Sequence, residues 1–428
     1  MMKRTGTNPL LDRARDHMPM GVLENYRYWG EDTVFVERLT GGGFVDSYGK
    51  QYVDFRLGYG PIILGYRDAR VDDAVIAAIR DVGTVCGFSS PIDLEVVQLL
   101  KSMCPNIDKL RFANSGTEAV MGAVRVARGY TGRDRILVVE GGFHGLYDEM
   151  MWRSDEDGVV PFGGGLPETS RAHLEFIELN DPEGLAAAFA GAPVAAVVLE
   201  PIMGNCGSIS STQAYMRTLR DTCTKHGAML IIDEVKTGFR VAKGGAQELY
   251  GIHADLTTYA KAMGNGYPVA AFGGRGEVMD VISFEPGGVT HGGTYTANMI
   301  ALAAAKATLS ILRDTDALAT AARVGGEIRE LLGRVFTRHG IQHTFAGPDA
   351  MFGVHFSETV PLTYRDWKST DAPLYTAFCH ELIARGVMLE PDSREPWFLC
   401  EAHREVDLGW LEETADAAMG AAIETHRG

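Results

Sequence analysis

A carboxylate, Asp233, closes the apolar run MLII in the segment MLIIDEVKTGFR, and a lysine, Lys261, stands in the apolar, glycine-flanked segment DLTTYAKAMGNGYP. An acid at the end of such a run is costly unless something pairs with it. A lysine set between Tyr259-Ala260 and Ala262-Met263 is a candidate for a desolvated amine. Desolvation lowers a lysine pKa and makes the amine a nucleophile toward carbonyls. An aldehyde cofactor with a basic ring nitrogen uses both groups. Pyridoxal phosphate forms a Schiff base with a lysine and sets its pyridinium against an aspartate. Taken singly, each residue has an ordinary alternative as a strand-end cap or a solvated surface lysine. The pair gains meaning from the other motifs.

In NSGTEAV (114–120), small residues precede a helical pattern. Asn114, Ser115 and Thr117 can cap that helix, and Glu118 suits its N-terminal dipole end. The free backbone N–H groups of Gly116 and Thr117 then form an anion site, although a plain cap is the commoner use of such residues. GGFHGLYD (141–148) follows the strand-like RILVVE, so Phe143 emerges at the top of a sheet, where a ring can stack on a planar cofactor or simply pack. GGTYTAN (292–298) puts Thr294 in a glycine-rich turn before a helix, as a second phosphate hydroxyl or as a cap.

These residues need a scaffold, and the texture of the chain predicts one. RILVVE (135–140), VAAVVLE (194–200), MLIIDEV (229–235) and VAAFGG (269–274) are short continuous apolar runs. Helical patterns separate several of them, as expected for a mostly parallel α/β sheet buried on both faces. Ligands in such folds sit at the carboxyl ends of the strands, where Glu200, Asp233 and Lys261 fall. Residues 1–60 carry strand-like pieces (TVFVERL, GFVDSYG, QYVDFRL) expected to form a small antiparallel sheet. Residues 61–312 are expected to form the large cofactor-binding domain and 313–428 a smaller α+β domain. The Gly- and Pro-rich stretch 155–170 reads as a long surface loop, either a lid or a disordered connection.

The 428 residues, 46% hydrophobic and 22% charged, suit a soluble globular protein. A net charge of −16 argues against nucleic-acid or anionic-membrane surfaces. The start, MMKRTGTNPLLDR, lacks the apolar core of a signal peptide. Six scattered cysteines, with no CxxC or zinc spacing, suggest buried thiols in a reducing cytoplasm and no metal site.

The order of NSGTEA, FHG, LEPIMGN, DEVKTGFR, AKAMGNGYP and GGTYTAN resembles class III aminotransferases, pyridoxal-phosphate enzymes of fold type I, over nearly the whole chain. Within that class, MPMGVLENYR, RLGYGPIILG and DLTTYAKAMGNGYPVAAFGGR resemble glutamate-1-semialdehyde 2,1-aminomutases. The resemblance implies a mostly parallel central sheet with helices on both faces plus a smaller α+β domain. It implies that Lys261 holds the cofactor and shuttles a proton, and that Asp233 pairs with the ring nitrogen. Val235 and Phe143 would flank the ring, with His144 supporting. Ser115, Gly116 and Thr117 would hold the phosphate, and Thr294 would complete that site from the other subunit of a homodimer. Glu200 and Asn205 fall near the ring and its hydroxyl. Arg27 falls on a carboxylate-binding arginine, a role its two-pronged guanidinium suits. Glu395, in DSREPWF, falls at the active-site mouth.

The sequence departs from the aminomutase pattern around the substrate. Glu24 stands where a serine is usual, Tyr59 replaces a tryptophan, Cys400 replaces a serine before His403, and the segment after FHG is shorter. Intact cofactor residues with an altered substrate shell imply an aminotransferase moving an amino group between an amino donor and an aldehyde or ketone, passing through the pyridoxamine form. The alternative is glutamate-1-semialdehyde aminomutase itself.

Overall fold

The computed structural model describes residues 8–84, 87–155 and 158–427. Its centre is a seven-stranded sheet in the order Lys109–Ala113, Ala270–Gly274, Leu256–Tyr259, Met229–Asp233, Val194–Leu199, Arg135–Val139, Leu174–Ile177. Neighbouring strands from Leu256–Tyr259 to Leu174–Ile177 run parallel. Ala270–Gly274 is antiparallel to both of its neighbours. The apolar runs are continuous because helices cover both faces; Val194–Leu199 and Met229–Asp233 are buried at every position.

One core layer sets helix Gly116–Thr131 against the sheet through Val120, Ala123 and Ala127, packed with Ile136, Val198 and Phe272. The opposite face is covered by Pro182–Phe189 and Gln213–His226 through Leu185, Met216 and Leu219. Gln213–His226 ends on Gly227 at φ 64°, a left-handed position that glycine occupies without a Cβ clash.

The three strand-like pieces near the N-terminus form Val36–Thr40, Gly43–Asp46 and Gln51–Asp54, an antiparallel sheet. A fourth strand, Val387–Met388, joins it in parallel from the far end of the chain. Phe55 and Val387 lie in the same core as the helices Ala317–Arg338, Ala372–Ala384 and Leu408–Arg427.

A buried arginine helps tie these parts to the large sheet. Arg240, 1% exposed, donates to the carbonyls of Gly60, Ile62 and Leu399 at 2.6–2.8 Å. No carboxylate among the described residues pairs with it, and burial lowers its pKa to about 10.

The stretch after residue 150 differs from the loop expected for 155–170. Trp152–Asp155 pairs with Gly158–Pro161 as a hairpin, and a short 3-10 turn, Glu168–Arg171, follows. The physical reason is Trp152: it is 5% exposed, its indole donates to Ser170 Oγ at 2.9 Å, and Arg171 lies over its ring. Five cysteines are free and buried; the sixth, Cys86, lies outside the described residues. No helix among the described residues is long and apolar enough to cross a membrane.

Candidate active site

The strand directions bring the expected residues to one edge of the sheet. Asp233 ends its strand, Glu200 follows Val194–Leu199, and Phe143 and His144 lie in the loop after Arg135–Val139. Gly116 opens the helix after Lys109–Ala113, and Lys261 lies two residues beyond Leu256–Tyr259.

Asp233 is 2% exposed and fixed on three sides. Its Oδ1 accepts from Thr258 Oγ1 and from the Val235 N–H, both at 3.0 Å. Its Oδ2 lies 2.8 Å from His144 Nδ1. One partner leaves Oδ2 a lone pair for a further donor. Burial opposes the charge on His144, but its bond to Asp233 and the charges of Asp233 and Glu200 outweigh burial and raise its pKa. His144 Nε2 is buried with no hydrogen-bond partner among the described residues. Glu200 accepts from the Phe143 N–H at 3.2 Å and the Gly204 N–H at 3.0 Å. Burial, then the Asp233 charge, raise the Glu200 pKa.

Lys261 has a positive φ of 49°, an uncommon backbone state for a residue with a Cβ. The residue is half-buried, and its amine has no hydrogen-bond partner among the described residues. Desolvation, then the charge of Lys236, pull its pKa down to about 7 against the pull of Glu395, Glu200 and Asp233. An amine in that range is substantially neutral near pH 7 and able to attack a carbonyl.

Ser115 caps the helix Gly116–Thr131 by accepting from the Glu118 N–H at 3.2 Å. Glu118 reaches back to the Asn114 N–H at 2.8 Å. The first N–H groups of a helix have no partner within it, so those of Gly116 and Thr117 are open to an anion. Thr117 Oγ1 accepts from the Leu146 N–H at 3.2 Å. A Cβ at Gly116 would come within 3.0 Å of Val235 Cγ1, so glycine is what lets the helix start approach Val235. The fit to pyridoxal phosphate is good: a carboxylate with spare acceptor capacity, a free helix start and an unpartnered amine share one edge of the sheet.

Other expected residues are placed differently. Asn205 Oδ1 accepts from Lys236 Nζ at 3.2 Å, and Glu395 is ion-paired with the same amine at 2.9 Å. The Tyr59 hydroxyl, with one proton to donate, lies 2.9 Å from Glu390 Oε2 and 3.1 Å from the Tyr26 carbonyl. The guanidinium of Arg56 lies over the Tyr59 ring and pairs with Glu390 at 3.1 Å. Burial pushes Glu390 up to about 7, although Arg56 and Tyr59 both pull it down. Arg27 is not drawn into this cluster: it is 59% exposed and paired with Glu24 at 2.9 Å. Thr294 is exposed, beside Tyr295 at 67% exposure. Asn298, not Thr294, caps the following helix Met299–Asp314.

Sequence reasoning did not single out Thr258, Lys236, Arg56 or Glu390 as parts of the site. Lys236 sits inside the DEVKTGFR motif and was visible there. Thr258, by contrast, becomes meaningful only when parallel pairing sets it opposite Asp233.

The fold and this edge define a pyridoxal-phosphate enzyme of fold type I. The Aminotransferase class-III family model matches residues 27–401, and the chain belongs to that family. It is 36% identical, over the full length of both chains, to a glutamate-1-semialdehyde 2,1-aminomutase of Desulforapulum autotrophicum. It is also 36% identical to one from Dechloromonas aromatica, covering 95% of this chain and 97% of that one. Among solved structures it resembles an omega-transaminase from Sphaerobacter thermophilus, with TM-score 0.91, 28% identity and 99% of each chain covered. A transaminase with PLP bound matches with TM-score 0.89 and 27% identity over 98% of each chain. The cofactor of this enzyme is pyridoxal phosphate.

Proposed function

We propose that the enzyme is an aminotransferase that moves an amino group between an amino donor and a carboxylate-bearing aldehyde or ketone, with Lys261 as the reacting amine. When bound, pyridoxal phosphate supplies an aldehyde that condenses with amines and a ring that accepts electrons. Asp233, braced by Thr258, the Val235 N–H and His144, would hold a fixed negative charge for the ring nitrogen. Gly116 and Thr117 offer N–H groups to the phosphate, with Ser115 holding the helix start in place. Val235 and Phe143 would flank the ring, and Glu200 and Asn205 would serve its hydroxyl. Lys261 Nζ, low enough in pKa to be neutral, carries protons to and from the substrate carbon.

The observation that carries transamination over isomerisation is the mouth. Where the aminomutase pattern has a tryptophan, Tyr59 is clamped by Arg56, Glu390 and the Tyr26 carbonyl. That cluster gives a substrate shell of different polarity. Arg27, paired with Glu24, binds the substrate carboxylate only if that surface pair opens. The aminomutase reading is supported by the 36% identity to those relatives.

The test is a screen of the loaded enzyme against amines, amino acids and glutamate-1-semialdehyde. An aminotransferase goes to the pyridoxamine form with release of a carbonyl product, and needs a second substrate to turn over. Conversion of glutamate-1-semialdehyde to an isomer with no co-substrate would decide for the aminomutase. The assignment of Lys261 is tested separately by borohydride reduction, which should fix a pyridoxyl group on the peptide containing Lys261.

The exposed Thr294 and Tyr295 support a homodimer in which Thr294 completes the neighbouring phosphate site. The separate core around Phe55 and the three C-terminal helices supports the division at about residues 60 and 312, with the N-terminal segment packed on the smaller domain. Five buried free thiols suit the cytoplasm.

A further inference from the structure

Arg56 is a second arginine at the mouth, and unlike Arg27 it is held in place. Its guanidinium lies over two rings, 5.1 Å from the centre of Trp29 and 4.1 Å from that of Tyr59. Nη2 donates to the Tyr26 carbonyl at 2.8 Å and to the Tyr59 hydroxyl, and Nε lies 3.1 Å from Glu390 Oε2. Nη1 carries two N–H donors. It makes no hydrogen bond among the described residues, and the side chain is 18% exposed. The backbone after it is strained: Leu57, Gly58, Tyr59 and Gly60 have φ of 45°, 62°, 68° and 98°, left-handed values that Leu57 and Tyr59 adopt at a cost. Asp54 Oδ1 secures the start of this loop by accepting from the Arg56 and Leu57 N–H groups at 2.8 and 3.0 Å, and Arg240 holds the Gly60 carbonyl. The chain then meets the Lys261 turn: Asn265, which ends that turn, accepts from the Ile63 and Leu64 N–H groups at 3.0 Å. On its other side, a Cβ on Gly60 would come within 2.9 Å of the Phe398 ring, and Lys236 Nζ lies 5.7 Å from the centre of that ring. A Cβ on Gly204 would in turn meet both the Lys236 stem and Glu200 Oε2. Contacts thus run from the Arg56 loop to the Lys261 turn and to the Glu200 end of the site.

We propose that Arg56 is a specificity-determining residue: its open Nη1 edge receives the substrate carboxylate, independently of the Arg27–Glu24 pair, while Trp29, Tyr59 and Glu390 fix the guanidinium. A guanidinium already immobilised loses little freedom when it takes up an anion. Its bond to the Tyr26 carbonyl sets it one residue from Arg27, the position that the family resemblance marks for a carboxylate. Glu390 sets the balance. As an anion beside Nε it competes with an incoming carboxylate, and burial, which pushes it up to about 7, weakens that competition near neutrality. The inference deepens the aminotransferase reading, on whose carboxylate-bearing substrate it rests.

The test uses the full-length enzyme loaded with pyridoxal phosphate and three reagents that capture the cofactor's aldehyde through an aminooxy group, displacing the lysine amine. Aminooxyacetate and 3-aminooxypropanoate carry a carboxylate; O-methylhydroxylamine does not. Loss of the cofactor's visible absorbance, followed by stopped flow at about pH 8 where Glu390 is mostly charged, gives a second-order rate for each. Free pyridoxal phosphate supplies the ratios expected without a protein. Capture needs neither transamination nor isomerisation, so a donor screen that fails would sink the proposed function and leave this test standing. Relative to the free cofactor, the wild type should favour at least one carboxylate reagent over O-methylhydroxylamine by about tenfold or more. Arg56→Met should remove most of that preference, and Arg56→Lys, which keeps the charge without the fork, should retain part of it. No preference in the wild type, or one that survives in Arg56→Met, overturns the proposal. A purely structural role for Arg56 also overturns it, and would slow all three reagents alike with the ratios unmoved. If Arg56→Met does not fold, Glu390→Gln carries the test: removing the competing charge should raise the preference several-fold, and no rise overturns the idea.

Discussion

Replacing Asp233 by Asn keeps the shape of the site and removes its charge, and the structure sets the size of the effect. The amide oxygen can still accept from Thr258 Oγ1 and the Val235 N–H, both at 3.0 Å in the wild type. What is lost is the charge 2.8 Å from His144 Nδ1. At an effective dielectric constant of about 20, two unit charges at that distance interact by roughly 6 kcal/mol, gross of desolvation. A hydrogen bond to a charged group retains a net of about 1.5–3 kcal/mol, equivalent to about 1–2 pKa units. The His144 midpoint should therefore fall by about 1–2 units, since burial, the first influence on it, already pulls it down. The sign for stability follows. With its pKa raised in the folded state, wild-type His144 stabilises the fold below its ordinary value of about 6.5, and that contribution is lost as pH rises through the raised value. Once the midpoint lies below about 6.5, the sign reverses, and the Asn variant loses stability as pH falls from about 6.5 through that midpoint. The assay is NMR titration of the His144 ring in the cofactor-free enzyme, together with the single-turnover rate of pyridoxamine formation in the loaded one. That rate should drop on the order of 10²-fold or more, because the ring nitrogen loses its fixed counter-charge. An unmoved His144 midpoint with a near-normal rate would refute the reasoning and assign the ring nitrogen another partner.

Four further outcomes follow from the same geometry. Lys261→Arg and Lys261→Ala should both abolish turnover, and borohydride should then label neither; a label on Lys236 or Lys243 in the wild type would move the assignment. Arg240→Met leaves the carbonyls of Gly60, Ile62 and Leu399 without their shared donor and should cost roughly 3–5 kcal/mol, read as a fall in the denaturant midpoint; an unchanged midpoint would show that the joint is held elsewhere. Mixing inactive Thr294→Tyr with inactive Lys261→Ala should restore activity after subunit exchange, and no recovery would place each site within one chain. Arg27→Ala should leave stability within about 1 kcal/mol, as an exposed pair allows, while lowering kcat/KM for an amino acid relative to its decarboxylated analogue by about 2–4 kcal/mol; an unchanged ratio removes Arg27 from the site.

The sequence by itself determined the chemistry and the sheet. Continuous apolar runs broken by helical patterns specified strands buried on both faces, and all four became strands of one sheet, with Ala270–Gly274 the antiparallel member. The type and order of Asp233, Lys261 and the NSGTEA turn singled out a Schiff-base cofactor, because a strand-end acid, a lysine in an apolar, glycine-flanked segment and a capped helix start each have a local signature. What only the tertiary structure decided is pairing across long separations. Thr258 meets Asp233 through the register of two parallel strands. Glu395 meets Lys236, and Tyr59 meets Glu390, across contacts that no local periodicity encodes. The hairpin at Trp152–Asp155 was likewise hidden, since it depends on burying one tryptophan under Ser170 and Arg171. Side-chain type and spacing are written along the chain, but desolvation and charge pairing depend on which distant segments the folded core brings together. For that reason Lys261, Asp233, Glu200 and Glu395 could be named from the sequence, while the pairing of Glu395 with Lys236 could not.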